Sequence, residues 1–262
     1  MGNLKDAADA IEGITKSVPI YPDLLQPAMQ ELGKGIHTLA KTVNIALSPI
    51  SALVWSYDTI KGFIQESLED KLKNVPRENI ISPAPEVAVP TIEALRYLGH
   101  KEELREMFSN LLATSMNSEI AKMAHPSFVE IIKQLTSDEA KILKLIKTNN
   151  FMPIIDLNRL VEGSSFSIVV KNFTIIQYSI GCEFPELGSS YIENINRLGL
   201  IQINNTSLTD KTYYNDLENH IQILSRIKQI EDDGLQYQIN KFIYHRTSFG
   251  QKFYNACIKD IT

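Results

Sequence analysis

Cysteine is almost missing from this chain. Of 262 residues only Cys182 and Cys257 are cysteine, and they lie far apart, in no CxxC pattern and at no metal-ligand spacing. A disulfide scaffold and a cysteine zinc site are therefore excluded. Both thiols sit among apolar residues and read as core side chains in a reducing cytoplasm. An excess of basic charge is also missing. Lys and Arg number 26 against 31 Asp and Glu, a net charge of −5. That balance excludes a bulk electrostatic binder of nucleic acid. A long hydrophobic run is missing too. The longest uncharged stretch, Thr42–Tyr57, has 16 residues and is interrupted by Asn44, Ser48, Pro49, Ser51 and Ser56. A spanning helix needs about 20 mostly apolar residues. Met1–Glu12 is polar and acidic, without the apolar core of a secretory signal.

The motifs that announce chemistry are absent as well. There is no HExxH, P-loop, GxGxxG or GxSxG. None of His37, His100, His125, His220 and His245 stands three or four positions from another His or Cys, so helical metal pairing is absent. No catalytic residue, metal ligand or cofactor is predicted. His125, in His125-Pro-Ser-Phe128, reads as a helix-capping or hydrogen-bonding side chain. As a nucleophile's base it has no visible Ser or Cys partner. Asp232 and Asp233 beside Glu231 read as a solvated acidic turn.

What is present is an ordinary folded composition, 44% hydrophobic and 22% charged, long enough for one large or two modest domains. Four prolines fall within 76–90, which predicts an extended connector. Helical spacing flanks it. Apolar residues from Ile36 to Ile64 mark a buried face broken at Pro49, and Thr91–Leu98 is a short helix closed by Gly99. In Glu102–Met116 one stripe of Leu104, Met107, Phe108, Leu111, Leu112 and Met116 opposes Glu102, Glu103, Arg105 and Glu106. Pro126 suits a first helical position, with Phe128, Ile131, Ile132 and Leu135 following. Thr136-Ser-Asp-Glu139 is a capping box opening a helix. Beyond Asn149, β-branched and aromatic residues predict strands over Phe166–Ile180, with further strand patterns at Leu200–Ile203 and Leu235–His245. Helical spacing covers Glu186–Leu198, Tyr213–Ile227 and Phe249–Ile258.

The expected fold is mainly α: an all-α part over residues 1–135 with its Pro-rich connector at 76–90, then an α+β, winged-helix-like part over 136–262. The winged-helix resemblance is carried by a helix running into Arg197-Leu-Gly-Leu-Ile201 and by the closing His245–Phe253 stretch. The long connection before that helix and the inserted wing helix at Tyr213–Ile227 depart from the pattern. If that helix met DNA, Ser189, Ser190, Asn194 and Arg197 would face the bases or phosphates. The helix also carries Glu186 and Glu193, and residues 136–262 hold 13 cations against 14 anions, a net −1. The charge therefore favours a protein partner or self-association over nucleic acid. A second expected surface is Val43, Leu47, Leu53 and Trp55, a segment that would meet a membrane conditionally.

The chain as a whole resembles the Abi-alpha family of bacterial abortive-infection and phage-resistance proteins. The residues concerned are Pro19-Ile-Tyr-Pro-Asp23 with Leu25 and Pro27, Glu31-Leu-Gly-Lys34, Pro49, Val54-Trp55 with Tyr57 and Ile60, Pro76 through Pro90, Leu111-Leu-Ala113 with Ser115-Met116, His125–Val129, Gln134-Leu135, Asp138-Glu-Ala140 and Arg197–Ile201. The resemblance implies an antiphage setting and supplies no catalytic residues. The expected function is a non-enzymatic defence effector or sensor in the cytoplasm, acting through protein–protein or conditional membrane interaction. A winged-helix transcriptional regulator and an unrecognised nuclease or nucleotide hydrolase are the alternatives.

Overall fold

The structure, a computed structural model, describes residues 55–146, 151–161 and 165–259. The described chain is mainly helical, with ten α-helices and one four-stranded antiparallel sheet in the C-terminal part. It divides into two compact units. The first runs to Gln134 and takes in the residues from Ala256 onward; the second is Leu135–Asn255.

The first unit holds α1 (Tyr57–Leu72), α2 (Pro85–Leu98), α3 (Glu102–Met116) and α4 (Ser127–Lys133). The Ser56 hydroxyl caps α1 by accepting from Thr59 N–H at 3.2 Å. Leu68 and Leu72 of α1 meet Ala88 of α2 and Leu112, Ala113 and Met116 of α3 in one core. The extended course expected over 76–90 stops at Ala84. Pro85 opens α2, where its missing N–H costs nothing, and Pro90 lies inside the helix. The remainder, after a 3-10 turn at Arg77–Asn79, is clamped to the end of α3: Ile80 bridges Asn117, and Ile81 N–H donates to Met116 O at 2.8 Å.

Helix α3 also differs from expectation. Every residue from Met107 to Met116 is buried, not one stripe alone. Its small polar residues tolerate this because they are bonded: Ser109 to Ser67, Ser115 to Leu112 O, Asn110 Nδ2 to Cys257 O and Thr114 Oγ1 to Ala256 O.

The second unit opens with α5 (Ser137–Leu145), and the capping box forms in both directions. Glu139 N–H donates to Thr136 Oγ1 at 3.2 Å, and Thr136 N–H to Glu139 Oε2 at 2.7 Å. Strands β1 (Met152–Val161) and β2 (Ser165–Phe173) follow, then α6 (Ile176–Ser179), α7 (Gly188–Arg197), β3 (Ile201–Asn204), α8 (Asn215–Glu218), α9 (Ile221–Asp232), β4 (Tyr237–Arg246) and α10 (Ser248–Cys257), whose last two residues, Ala256 and Cys257, belong to the first unit. The sheet order is β2-β1-β4-β3. Pro153 is tolerated within β1 because β2 begins pairing only at Ile155, leaving one side of Pro153 open.

Two expected elements are divided. The strand pattern over 166–180 ends at Phe173, and the chain turns into α6. The helix expected over 213–227 breaks at His220, whose extended backbone (φ −68°, ψ 137°) serves as N-cap of α9, its Nδ1 accepting from Gln222 N–H. The His220 ring is held between Phe173 and Tyr178, at centroid distances of 5.2 and 4.7 Å. Helices α8 and α9 bury Leu217, Ile223, Ile227 and Ile230 against Ile155, Leu157 and Phe173 of the sheet.

The Arg197-Leu-Gly-Leu-Ile201 turn has a plain physical cause. Gly199 takes φ +73°. Its N–H donates to Asn196 O, and Leu200 N–H to Ile195 O. This is the paired bonding that ends a helix through a left-handed residue. The chain then enters β3 directly.

Candidate functional site

Helix α7 is the element the sequence offers to a partner, and α5 fixes it. Asp138, on the first turn of α5, is buried at 3% exposure. Its Oδ1 accepts from Glu183 N–H at 2.9 Å; its Oδ2 accepts from Phe184 N–H at 3.1 Å and from Tyr191 OH at 2.9 Å. Lys141 Nζ stands 3.4 Å from Oδ1. Burial pushes this carboxyl up, but the four donors outweigh it and hold it below its ordinary value. Burial pushes Tyr191 up, and its bond to Asp138 adds to that. The neighbouring Cys182 thiol is pushed up to about 11, by burial first and then by the Asp138 charge.

Glu139 serves twice. Besides closing the capping box, its Oε1 accepts from Asn194 Nδ2 at 2.8 Å. Asn194 Oδ1 in turn accepts from Arg197 Nε and Nη2, at 3.1 and 2.7 Å. Two of the four residues expected on a DNA-facing surface are thus engaged: Asn194 with α5, and Arg197 folded back on Asn194. Ser190 is exposed and Ser189 half-buried.

The exposed side of α7 carries Ser190, Glu193, Asn196 and Arg197. Toward β2 its charge is negative but paired. Lys171 Nζ meets Glu193 Oε1 at 3.0 Å, and Asn172 Nδ2 donates to the same oxygen at 3.3 Å. Asn172 is in the left-handed region at φ +52°, and its N–H donates to Asp156 Oδ1 at 2.7 Å. Burial pushes Asp156 above its ordinary value. Sequence reasoning missed Asp138, Asp156 and Lys171. Only Asp138 had a local signal, its place inside the capping box.

Of the membrane-contact residues, Val43, Leu47 and Leu53 lie outside the described residues. Trp55 is half-buried and committed to the first unit. Its N–H donates to Arg96 O at 3.0 Å, and its ring meets Phe63 edge-on at 5.5 Å. The Arg105 guanidinium lies 5.9 Å from the indole and 5.8 Å from the Phe63 ring. A Cβ on Gly99 would fall 2.6 Å from the indole, so glycine makes the seat. Among the described residues no helix is long and apolar enough to cross a membrane. His125 lies just ahead of α4: its Nδ1 accepts from Ser127 N–H at 3.1 Å and lies 2.7 Å from Ser127 Oγ.

No curated protein matches the chain. A solved structure of an uncharacterized protein from the hydrocarbon-degrading marine bacterium Alcanivorax borkumensis SK2 aligns over 54% of this chain and 96% of its own, at 12% identity and a TM-score of 0.38. That likeness is too slight to build on. The family described as abortive infection alpha matches residues 56–257, most of the chain and both of its units. The chain belongs to the abortive infection alpha family, which suggests a role in abortive infection, a defence against phage.

Proposed function

We propose that the chain is a cytoplasmic phage-defence effector or sensor that acts by binding a protein partner rather than through a reaction of its own. We read its second unit as a winged-helix-like module, with α7 where such modules carry their reading helix. The adjacency of β1, β4 and β3, with α5 and α7 preceding β3, supports that reading. The observation that carries the choice of partner is the Lys171–Glu193 pair on the exposed side of α7. A phosphate backbone brought to this face would meet a carboxylate, and the nearest cation is already neutralised by it. Arg197, the helix's one cation, is bonded back to Asn194.

Phage challenge of cells carrying wild type and Ser190→Trp tests this. The substitution fills the exposed face without touching the α5–α7 bonds. Protection is expected to fall while the purified variant melts like wild type; undiminished protection overturns the assignment of the face. Titration with mixed duplexes at low salt addresses the alternative. Binding that weakens steeply with salt would establish a nucleic-acid role instead. The membrane variant, with residues 43–55 as its contact, is weighed by dye leakage from liposomes. Trp55's commitment to Gly99 and Phe63 favours the protein-partner reading over it.

A further inference from the structure

Among the described residues strand β2 has a neighbour on one side only, since it ends the order β2-β1-β4-β3. Natural edge strands are usually short, or carry Lys or Pro that discourage pairing with another chain. This one has nine residues, and Ser165–Val170 (Ser-Phe-Ser-Ile-Val-Val) has no charge, proline or glycine. Phe166 is 58% exposed, Ile168 49% and Val169 37%. Val161, opposite Ser165 on β1, is 45% exposed.

We propose that β2 is the seam of a homodimer, in which the edges of two copies pair antiparallel about Ser167. This goes beyond the partner on α7 and does not depend on it. The open backbone demands an extended strand as occupant, because a bilayer or a helix cannot satisfy a row of ladder groups. A second copy fits by charge and by side-chain pairing. A two-fold axis through Ser167 sets each Phe166 opposite Ile168 of the other copy, an aromatic and β-branched pair of the kind that stabilises sheets. The same axis carries the two Lys171 side chains eight residues apart along the ladder, about 26 Å. That lies beyond the screening length of about 8 Å at physiological salt. Each Lys171 also keeps its own Glu193. Arg159, whose Nε lies 3.3 Å from Ser167 Oγ, sits one strand inward. Its counterpart is then three strand spacings away, roughly 14 Å. No like charges oppose each other at the seam. The bulge that leaves Val169 without a partner on β1 marks the end of the regular pairing, so the regular seam runs from Phe166 to Ile168 with Ser167 at its centre.

Sedimentation of the full chain at micromolar concentration is expected to give a dimer. Ile168→Lys is expected to weaken it about tenfold or more. Leu224→Lys, an equally apolar exposed change on α9, is expected to leave it intact. The register is read with Ser167→Cys. Opposed residues have Cα atoms about 4.5–5.5 Å apart, within disulfide range. Both native thiols are buried. Mild oxidation should therefore crosslink Ser167→Cys far faster than Ser190→Cys. A monomeric wild type, an Ile168→Lys dimer as tight as wild type, or equal crosslinking of the two cysteine variants would overturn the proposal. So would a monomer that binds anionic phospholipid vesicles through the same residues.

Discussion

The buried Asp138 carboxylate accepts the Tyr191 hydroxyl at 2.9 Å, tying the first turn of α5 to the first turns of α7. The same carboxylate holds the backbone of Glu183 and Phe184, so one side chain fixes both the helix and the loop that delivers it. Asp138→Asn replaces one acceptor oxygen with a donor facing N–H or O–H groups. It is expected to cost roughly 2–4 kcal/mol. Tyr191→Phe removes one bond and is expected to cost roughly 1–2 kcal/mol. In a double-mutant cycle by urea unfolding the two should be strongly non-additive. Additive losses would show that the bond does not couple the helices.

Two carboxyls of the second unit respond to pH in opposite directions. Asp138 is held below its unfolded value of 3.8. Its contribution is therefore fully present above that pH and is lost as pH falls below it, through the folded value. Asp156 is raised above 3.8, by burial first, so its charge opposes folding at neutral pH. That opposition is relieved as pH falls through its folded value toward 3.8. Asp156→Asn keeps an acceptor for Asn172 N–H while removing the charge. It should be more stable than wild type at about pH 7 and lose that advantage by about pH 4. A variant destabilised at neutral pH would show that the carboxylate's bond outweighs its burial.

Where local chemistry decided the structure, it was readable in advance. The Thr136–Glu139 capping box and the Gly199 helix stop depend on residues within a few positions of one another, and both appear as expected. Pro90 misled because its missing N–H removes one helical bond, a loss the rest of α2 tolerates when Val87, Ala88, Ala94 and Leu95 are buried. The polar side of α3 misled because Asn110 and Thr114 find their acceptors at Cys257 and Ala256, far along the chain. The α7 anchor was half legible. Glu139 announced itself as a cap, but the bonds of Asp138 to Glu183, Phe184 and Tyr191 are set by tertiary placement.

Gly250 and Gly199 make different demands. A Cβ at Gly250 would lie 2.0 Å from the Leu200 carbonyl oxygen, a backbone atom that side-chain motion cannot clear. Gly250→Ala is expected to cost roughly 3 kcal/mol or more by overpacking. A Cβ at Gly199 would meet only Phe249 Cδ1, at an ordinary contact distance of 3.9 Å, but the φ there is +73°. Gly199→Ala should cost only the left-handed backbone penalty, roughly 1–2 kcal/mol. Thermal unfolding should rank Gly250→Ala well below Gly199→Ala. The reverse order would mean that the backbone at Leu200 yields.

Asn110 and Thr114 stand one turn apart on α3 and cap the last carbonyls of α10, at Cys257 and Ala256. A helix end leaves such carbonyls without internal partners, and here they are buried with α3. Thr114 is fully buried, so Thr114→Val keeps the shape but strands the Ala256 oxygen. The expected loss is roughly 1–2 kcal/mol from the unmet oxygen; Thr114→Ser keeps the hydroxyl and should lose only one buried methyl, about 0.8 kcal/mol. Removing the chain from Ala256 onward takes away both acceptors. It leaves Asn110 Nδ2 and the Thr114 hydroxyl buried without partners, so it should cost more than Thr114→Val. Chemical unfolding of the three variants is the measurement. If the truncation and Thr114→Val prove no less stable than wild type, the first unit holds together without its C-terminal residues, and the two bonds are incidental to it.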